Sequence, residues 1–224
     1  MKSKLITSLI GAALVSAGSA YATPQLVLYD GTHTQIIVDN QTGDVLNTTL
    51  GAVEYSGPWN GFTITVDTGE TKPIIGTATD PQLDLNFTVT SPGAGSLWIY
   101  FSETGFTANG TLFDSIGGTV AGGGTVTDIV GIGTDFQNLA SVARIGPLSA
   151  TLPNGGYSSS TTGAVNLTAN DQLWIGVQVV FGNGGGVTSG NKNVSLELPD
   201  GGATVMLLGA ALSALGLFRK KLIA

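Results

Sequence analysis

The sequence predicts an all-β fold, an antiparallel β-sandwich of jelly-roll-like type with an N-terminal signal helix before it and a C-terminal transmembrane helix after it. Two observations predict the sandwich. Apolar and polar residues alternate with period two along most of the chain, the mark of strands with one buried face. Glycine supplies 34 of 224 residues, about twice its usual share of roughly 7%, while only 10% are charged, which suits short strands joined by tight turns. A third observation, an apolar run at each end of the chain, predicts the two helices. The length allows one domain with a sizeable core plus processing segments.

The N-terminus reads as a secretory signal. Lys2 and Lys4 form a basic region, Leu5 to Val15 an apolar one, and Ala20-Tyr21-Ala22 supplies the small residues on which signal peptidase cuts, before Thr23. The body then alternates: Phe62, Ile64 and Val66 oppose Thr63, Thr65 and Asp67; Leu83, Leu85, Phe87 and Val89 oppose Asp84, Asn86, Thr88 and Thr90. Leu97, Ile99 and Phe101 repeat the pattern, as do Leu173 to Phe181 and Val194, Leu196 and Leu198. Roughly ten strands are expected. Asp39 to Asp44 and Ser91 to Gly95 read as hairpin loops. Gly117 to Gly133 fits either a weak hairpin or a long loop.

From Thr23 to Leu198 the chain carries three basic residues, Lys72, Arg144 and Lys192, against 14 acidic ones, a formal charge of −11. Phosphate binding needs clustered Lys and Arg, so no nucleic-acid partner is expected. With no cysteine, disulfides, thiolate metal sites and cysteine nucleophiles are excluded together.

His33 is the single histidine, and no G-x-S-x-G turn accompanies it, so it reads as a surface residue and no catalytic residue is assigned. One histidine without cysteine cannot make a zinc site, and Asp30, Asp39, Asp44, Asp128 and Asp135 follow no calcium-loop pattern. They read as solvated turn carboxylates, and neither a metal nor a cofactor is expected. Paired-carboxylate glycosidase chemistry has material among the acidic residues but no positive signal. The aromatic residues say more. With Leu97, Ile99 and Phe101 inward, Trp98 and Tyr100 must face outward, and Trp174 is out of phase with Leu173 and Ile175. Trp59 sits in the Gly/Pro-rich stretch "SGPWNGF" and reads as an exposed loop residue. These three are the candidate glycan contacts, set against a plain bracing role for outward rings.

At the C-terminus, "LPDGGATVMLLGAALSALGLFRKKLIA" joins a turn motif, an apolar run and a basic cluster. Ala203 to Phe218 is 16 residues without a charge, about 24 Å as a helix at 1.5 Å per residue. The hydrocarbon core is roughly 30 Å thick, and Leu222, Ile223 and the snorkelling stems of Arg219, Lys220 and Lys221 extend the reach. The basic cluster would stay cytoplasmic by the positive-inside rule. A sortase motif needs threonine where Gly201 stands, and a lipid-anchor signal normally ends in its apolar run rather than in Arg-Lys-Lys.

Motif, span and basic end together resemble the PEP-CTERM superfamily of sorting tails, most nearly its Val-Pro-Asp-Ser-Gly variant. Leu198, Pro199, Asp200, Gly201 and Gly202 occupy the motif, with Leu198 for valine and Gly201 for serine as departures. The resemblance implies a membrane-embedded exosortase as processing enzyme, signal peptidase and the membrane as further partners, and delivery to the cell surface or the exopolysaccharide matrix. "DGTHTQIIVDNQTGD" and "VDTGETKPIIG" are also similar to exported β proteins with such tails. The expected division is therefore a signal peptide at 1–22, a β-sandwich at 23–198, and a sorting motif, transmembrane helix and basic tail at 199–224. The expected role is structural or adhesive and non-enzymatic; the alternative is a carbohydrate-binding module for exopolysaccharide, and the third reading a glycan-active hydrolase.

Overall fold

The computed structural model describes residues 23–133, 143–152 and 155–197, the middle segment by its backbone path. The signal segment, residue 135 and the whole tail from residue 198 lie outside the described residues. Those that are described hold twelve strands: β1 Gln25–Tyr29, β2 Thr34–Val38, β3 Ala52–Trp59, β4 Phe62–Glu70, β5 Gln82–Ser91, β6 Gly95–Glu103, β7 Ala108–Ala121, β8 Gly124–Ile132, β9 Ala143–Leu152, β10 Gly155–Leu167, β11 Leu173–Phe181 and β12 Gly186–Glu197. No helix among them is long and apolar enough to cross a membrane.

The strands make two six-stranded antiparallel sheets, ordered β2-β1-β6-β11-β8-β9 and β10-β7-β12-β5-β4-β3. Within them β5 to β12 alternate between β5-β12-β7-β10 and β6-β11-β8-β9, the interlocked order of a jelly roll. The β1–β2 and β3–β4 pairs extend one sheet each beyond that frame. Inward side chains follow the alternation: Leu26, Leu28, Leu97, Ile99, Phe101 and Ile175 of the first sheet meet Ile64, Val66, Leu85, Phe87, Leu112 and Ile116 of the second in one core.

Two strands exceed the expected number because polar edge strands give little apolar signal. In β10, "GGYSSSTTGAVNL", Tyr157, Val165 and Leu167 are the buried apolar side chains, and between them the same face carries Ser159, Thr161 and Gly163, which break the apolar alternation. Gly117 to Gly133 is neither a hairpin nor a long loop. It contains the end of β7 and all of β8, in different sheets, with the corner at Gly122-Gly123 between them. Ser91 to Gly95 is also a corner between sheets rather than a hairpin, and so is the chain from Asp39 to β3. Three corners pack backbone against backbone: a Cβ at Gly122 would stand 2.5 Å from the Gly185 carbonyl, and one at Gly185 2.2 Å from that of Ser91. Both glycines have positive φ, 100° and 65°, which L side chains rarely adopt.

The expectation that the turn carboxylates are solvated fails at three of them. Asp44 is buried and accepts from the N–H groups of Asn40 at 2.9 Å and of Leu46 and Glu54 at 3.0 Å; Asp39 is buried and accepts from Gly51 N at 2.9 Å. They are the internal scaffold of the long β2–β3 connection, whose backbone donors would otherwise be unpaired. Asp128 lies in the core. A further buried acid, Glu103 at the end of β6, accepts from Thr71 Oγ1 at 2.6 Å and pairs with Lys72 Nζ at 2.7 Å. The Lys72 ammonium also lies 4.1 Å from the centroid of the Phe106 ring.

Candidate functional site

The outer face of the first sheet is where the sequence-marked aromatics converge. Strand pairing sets Tyr29 of β1, Trp98 of β6, Gln178 of β11 and Thr127 of β8 in one row, and Val27, Tyr100, Gly176 and Ile129 in the next. Trp174 projects from the same face, paired with Ser102 and Gly131. Trp98 stacks parallel on Tyr100, with ring centroids 5.2 Å apart and planes 7° from parallel, and Tyr100 meets Trp174 edge-on at 5.8 Å and 84°. Both arrangements suit the aromatic quadrupole.

Glycines make room for these rings to approach the sheet closely. A Cβ at Gly176 would stand 2.7 Å from the Tyr100 ring, and one at Gly131 only 1.9 Å from that of Trp174. Tyr100 and Trp174 are consequently buried with Val27 and Ile129, while Tyr29 and Trp98 border the cluster half-buried. Beside Trp98, the Gln178 amide donates to Ser96 Oγ at 3.0 Å, which fixes its orientation. The Tyr29 hydroxyl donates to the Gly31 carbonyl at 3.0 Å.

This face is neutral over five of its six strands; on the edge strand β9, Arg144 stands in register with Gly131. The outward positions of β2, β1, β6, β11 and β8 carry no charged residue, although the domain as a whole is strongly acidic. An aromatic ring with fixed amide and hydroxyl groups beside it and no charge nearby can stack on an apolar ring face and exchange hydrogen bonds with neutral polar groups.

Of the three candidate tryptophans, Trp98 keeps the expected position. Trp174 faces outward as the alternation requires, yet it is 1% exposed and its Nε1 has no hydrogen-bond partner among the described residues, so it is a buried support and not a ligand platform. Trp59 is not in a loop. It ends β3, pairs with Phe62 and packs half-buried against the core, because Asn60 and Gly61, with φ of 44° and 86°, close a two-residue hairpin directly after it. The Asn-Gly pair in "SGPWNGF" is the sequence signal for that turn.

His33 is exposed, and its Nδ1 lies 3.0 Å from Asp30 Oδ2. Burial opposes ionisation of Asp30, but hydrogen bonds from the His33 and Thr32 backbone, the His33 ring and the Asn60 amide prevail and hold its carboxyl down at about 2. This is a turn-capping carboxylate. A polar depression lined by Asn40 to Asp44 and Asn47 has its acid, Asp44, already occupied by backbone donors. Among the described residues no group of three or more His, Asp or Glu is placed to hold a metal.

Sequence reasoning placed Tyr100 outward with Trp98 but passed over Tyr29, Gln178 and Ser96, whose place on one face follows from strand order. It also passed over Lys192 and Asp114 in the core and read Asp128, beside them, as a solvated turn carboxylate. Lys192, Asp114 and Asp128 occupy positions in phase with Val194, with Leu112 and Ile116, and with Val126 and Val130, so the alternation itself held the signal.

Neither a protein-family model nor a curated protein sequence matches the chain. Similar solved structures include TmCBM61 in complex with beta-1,4-galactotriose (8% identity, TM-score 0.35, covering 63% of this chain and 92% of that one). Another is the N-terminal cellulose-binding domain of beta-1,4-glucanase C from Cellulomonas fimi (15%, 0.32, covering 64% and 93%). A third is the enzymatically active domain of bacteriophage CBA120 tailspike protein 4 (10%, 0.33, covering 63% of this chain and 20% of that one). At these scores the likenesses decide nothing about what this chain binds.

Proposed function

We propose that this is an exported β-sandwich that adheres to neutral polysaccharide through the outer face of its first sheet and acts by binding rather than turnover. The observation that carries the reading is the row Tyr29, Trp98, Gln178, with Trp98 stacked on Tyr100 where the outward positions of β2, β1, β6, β11 and β8 carry no charge. A sugar ring presents an apolar C–H face and a rim of hydroxyls, which match an exposed indole and a fixed amide. An acidic polysaccharide would meet a strongly acidic domain and be repelled.

Delivery belongs to the same proposal. The signal at 1–22 and the tail at 199–224 would export the domain, hold it briefly in the membrane and pass it, through an exosortase acting at Leu198 to Gly202, to the cell surface or matrix. There, binding to exopolysaccharide would give it a structural, adhesive role. Affinity electrophoresis of the exported protein in gels containing neutral or acidic polysaccharides tests the reading. Retardation by a neutral polymer is expected, and migration unchanged in every neutral gel would overturn it.

A further inference from the structure

Lys192 of β12 is 0% exposed, and its Nζ lies 2.5 Å from Asp114 Oδ1 and 2.7 Å from Asp128 Oδ2. Asp114 stands on β7, beside β12 in the same sheet and one diagonal step from Lys192, since Lys192 pairs with Ile116 and Asp114 with Val194. Asp128 reaches across the core from β8 of the opposite sheet. The adjoining inward positions are apolar: Leu85 and Ile116 beside Lys192, Val177 beside Asp128. An ammonium and two carboxylates, one in excess, are thus held in the apolar interior of a sandwich, where desolvating each ion costs several kcal/mol. Among the described residues Asp128 Oδ1 has no hydrogen-bond partner to offset this.

Burial, the first cause, and the neighbouring Asp128 charge together push the Asp114 carboxyl up to about 6 against the pull of Lys192. The protonated acid is therefore within reach near neutral pH. Amine and carboxyl are in contact, a second carboxylate touches the same nitrogen, and all three groups are buried. These are the requirements for amide condensation.

We propose that Lys192 and Asp114 condense in the folded protein to an intramolecular isopeptide bond, with Asp128 transferring the protons. The Lys192 ammonium gives a proton to the Asp128 carboxylate, and the neutral Nζ adds to Cγ of the protonated Asp114 carboxyl, forming the C–N bond. A second nitrogen proton passes through Asp128 to the Asp114 hydroxyl, the C–O bond breaks and water leaves. The product is a neutral amide with one proton left on Asp128, so atoms and charge balance without an external reagent. In water the condensation is unfavourable, but here contact geometry supplies the effective concentration and the product removes the buried charges. The bond would tie two neighbouring strands covalently in a domain that has no cysteine for a disulfide.

Peptide mapping by tandem mass spectrometry on the full, folded, exported protein tests this. The expected result is a Lys192 peptide joined to the Asp114 peptide with loss of one water. Asp128→Asn should abolish the link while circular dichroism still reports a folded β protein. Recovery of Lys192 and Asp114 in unlinked peptides from the wild-type protein would overturn the proposal, whatever the variants do. A Lys192–Asp128 link would overturn the assignment of Asp114 as the acylating acid, and a link surviving in folded Asp128→Asn would remove Asp128 from the proton transfer.

Discussion

Trp174 on β11 lies across Gly131 on β8, so close that a Cβ on Gly131 would stand 1.9 Å from its ring. Tyr100 lies across Gly176 in the same manner. The aromatic face of the first sheet is thus built on absent side chains: glycines in neighbouring strands let two rings come close to the backbone and bury themselves, and Trp98 stacks at their border. A ring supported in this way loses little freedom on binding, which is what a stacking platform requires.

Gly131→Ala is expected to destabilise the domain by about 1–3 kcal/mol, because the added methyl collides with the buried indole and must displace it. Gly57→Ala is the control, since its Cβ would meet nothing nearer than the Tyr55 hydroxyl at 3.7 Å. Urea midpoints compare the two. Equal shifts would show that Trp174 does not rest on Gly131.

Lys72→Met removes the cation beside Glu103 and leaves a buried carboxylate held by Thr71 alone. Breaking a buried pair costs about 3–5 kcal/mol, and with Lys72 18% exposed the lower end is expected at neutral pH. Burial already lifts the Glu103 carboxyl above its ordinary range, the Lys72 and Thr71 hydrogen bonds and the Lys72 charge opposing and the Asp39 charge adding. A raised acid takes up its proton in the folded state before the unfolded state does, so the folded protein gains relative stability from that group as pH falls. Losing Lys72 raises it further. The deficit of Lys72→Met should therefore be full at neutral pH and shrink as pH falls toward about 4.5, the ordinary glutamate value. Denaturant titrations at the two pH values check this, and an unchanged deficit would contradict it.

The tail should separate under two kinds of change. Deleting residues 203–224 should release a soluble, folded β domain, since β12 ends at Glu197. Replacing Pro199 and Asp200 by alanine should leave the protein folded but membrane-held with an intact tail. Changing Arg219, Lys220 and Lys221 to glutamate should weaken its orientation. Fractionation and intact mass decide: a surface form that still ends at Ala224, together with normal sorting of the Pro199/Asp200 variant, would make this a plain anchor.

Period-two alternation made the two-sheet sandwich legible, because one face of each inner strand is core and the pattern records that directly. It marked β4, β5, β6 and β11 with their correct inward residues. It could not say which strands are neighbours, which depends on contacts far apart in the chain. Asp39 to Asp44 and Ser91 to Gly95 accordingly read as hairpins when they cross between sheets. The candidate site suffered in the same way. Trp98 was placed outward by phase alone, but Trp174 needed knowledge of Tyr100 and Gly131 on adjacent strands before its burial could be seen. Lys192, Asp114 and Asp128 were visible in phase with the core, yet an inward lysine has meaning only once two carboxylates are found within reach of it.

The most direct test of the account is a fluorescence titration of the folded protein with neutral polysaccharides, in parallel with Trp98→Ala and Trp59→Phe. Trp98 stands half-exposed on the neutral face, whereas Trp174 is buried and Trp59 is packed on the core edge, so the ligand-dependent signal should come from Trp98. Losing the stacking ring should weaken binding at least about tenfold, equivalent to roughly 1.4 kcal/mol. The account predicts a saturable change with at least one neutral polymer, retained in Trp59→Phe and lost or weakened to that degree in a folded Trp98→Ala. No saturable change with any neutral polymer, or the same affinity without Trp98, would contradict it.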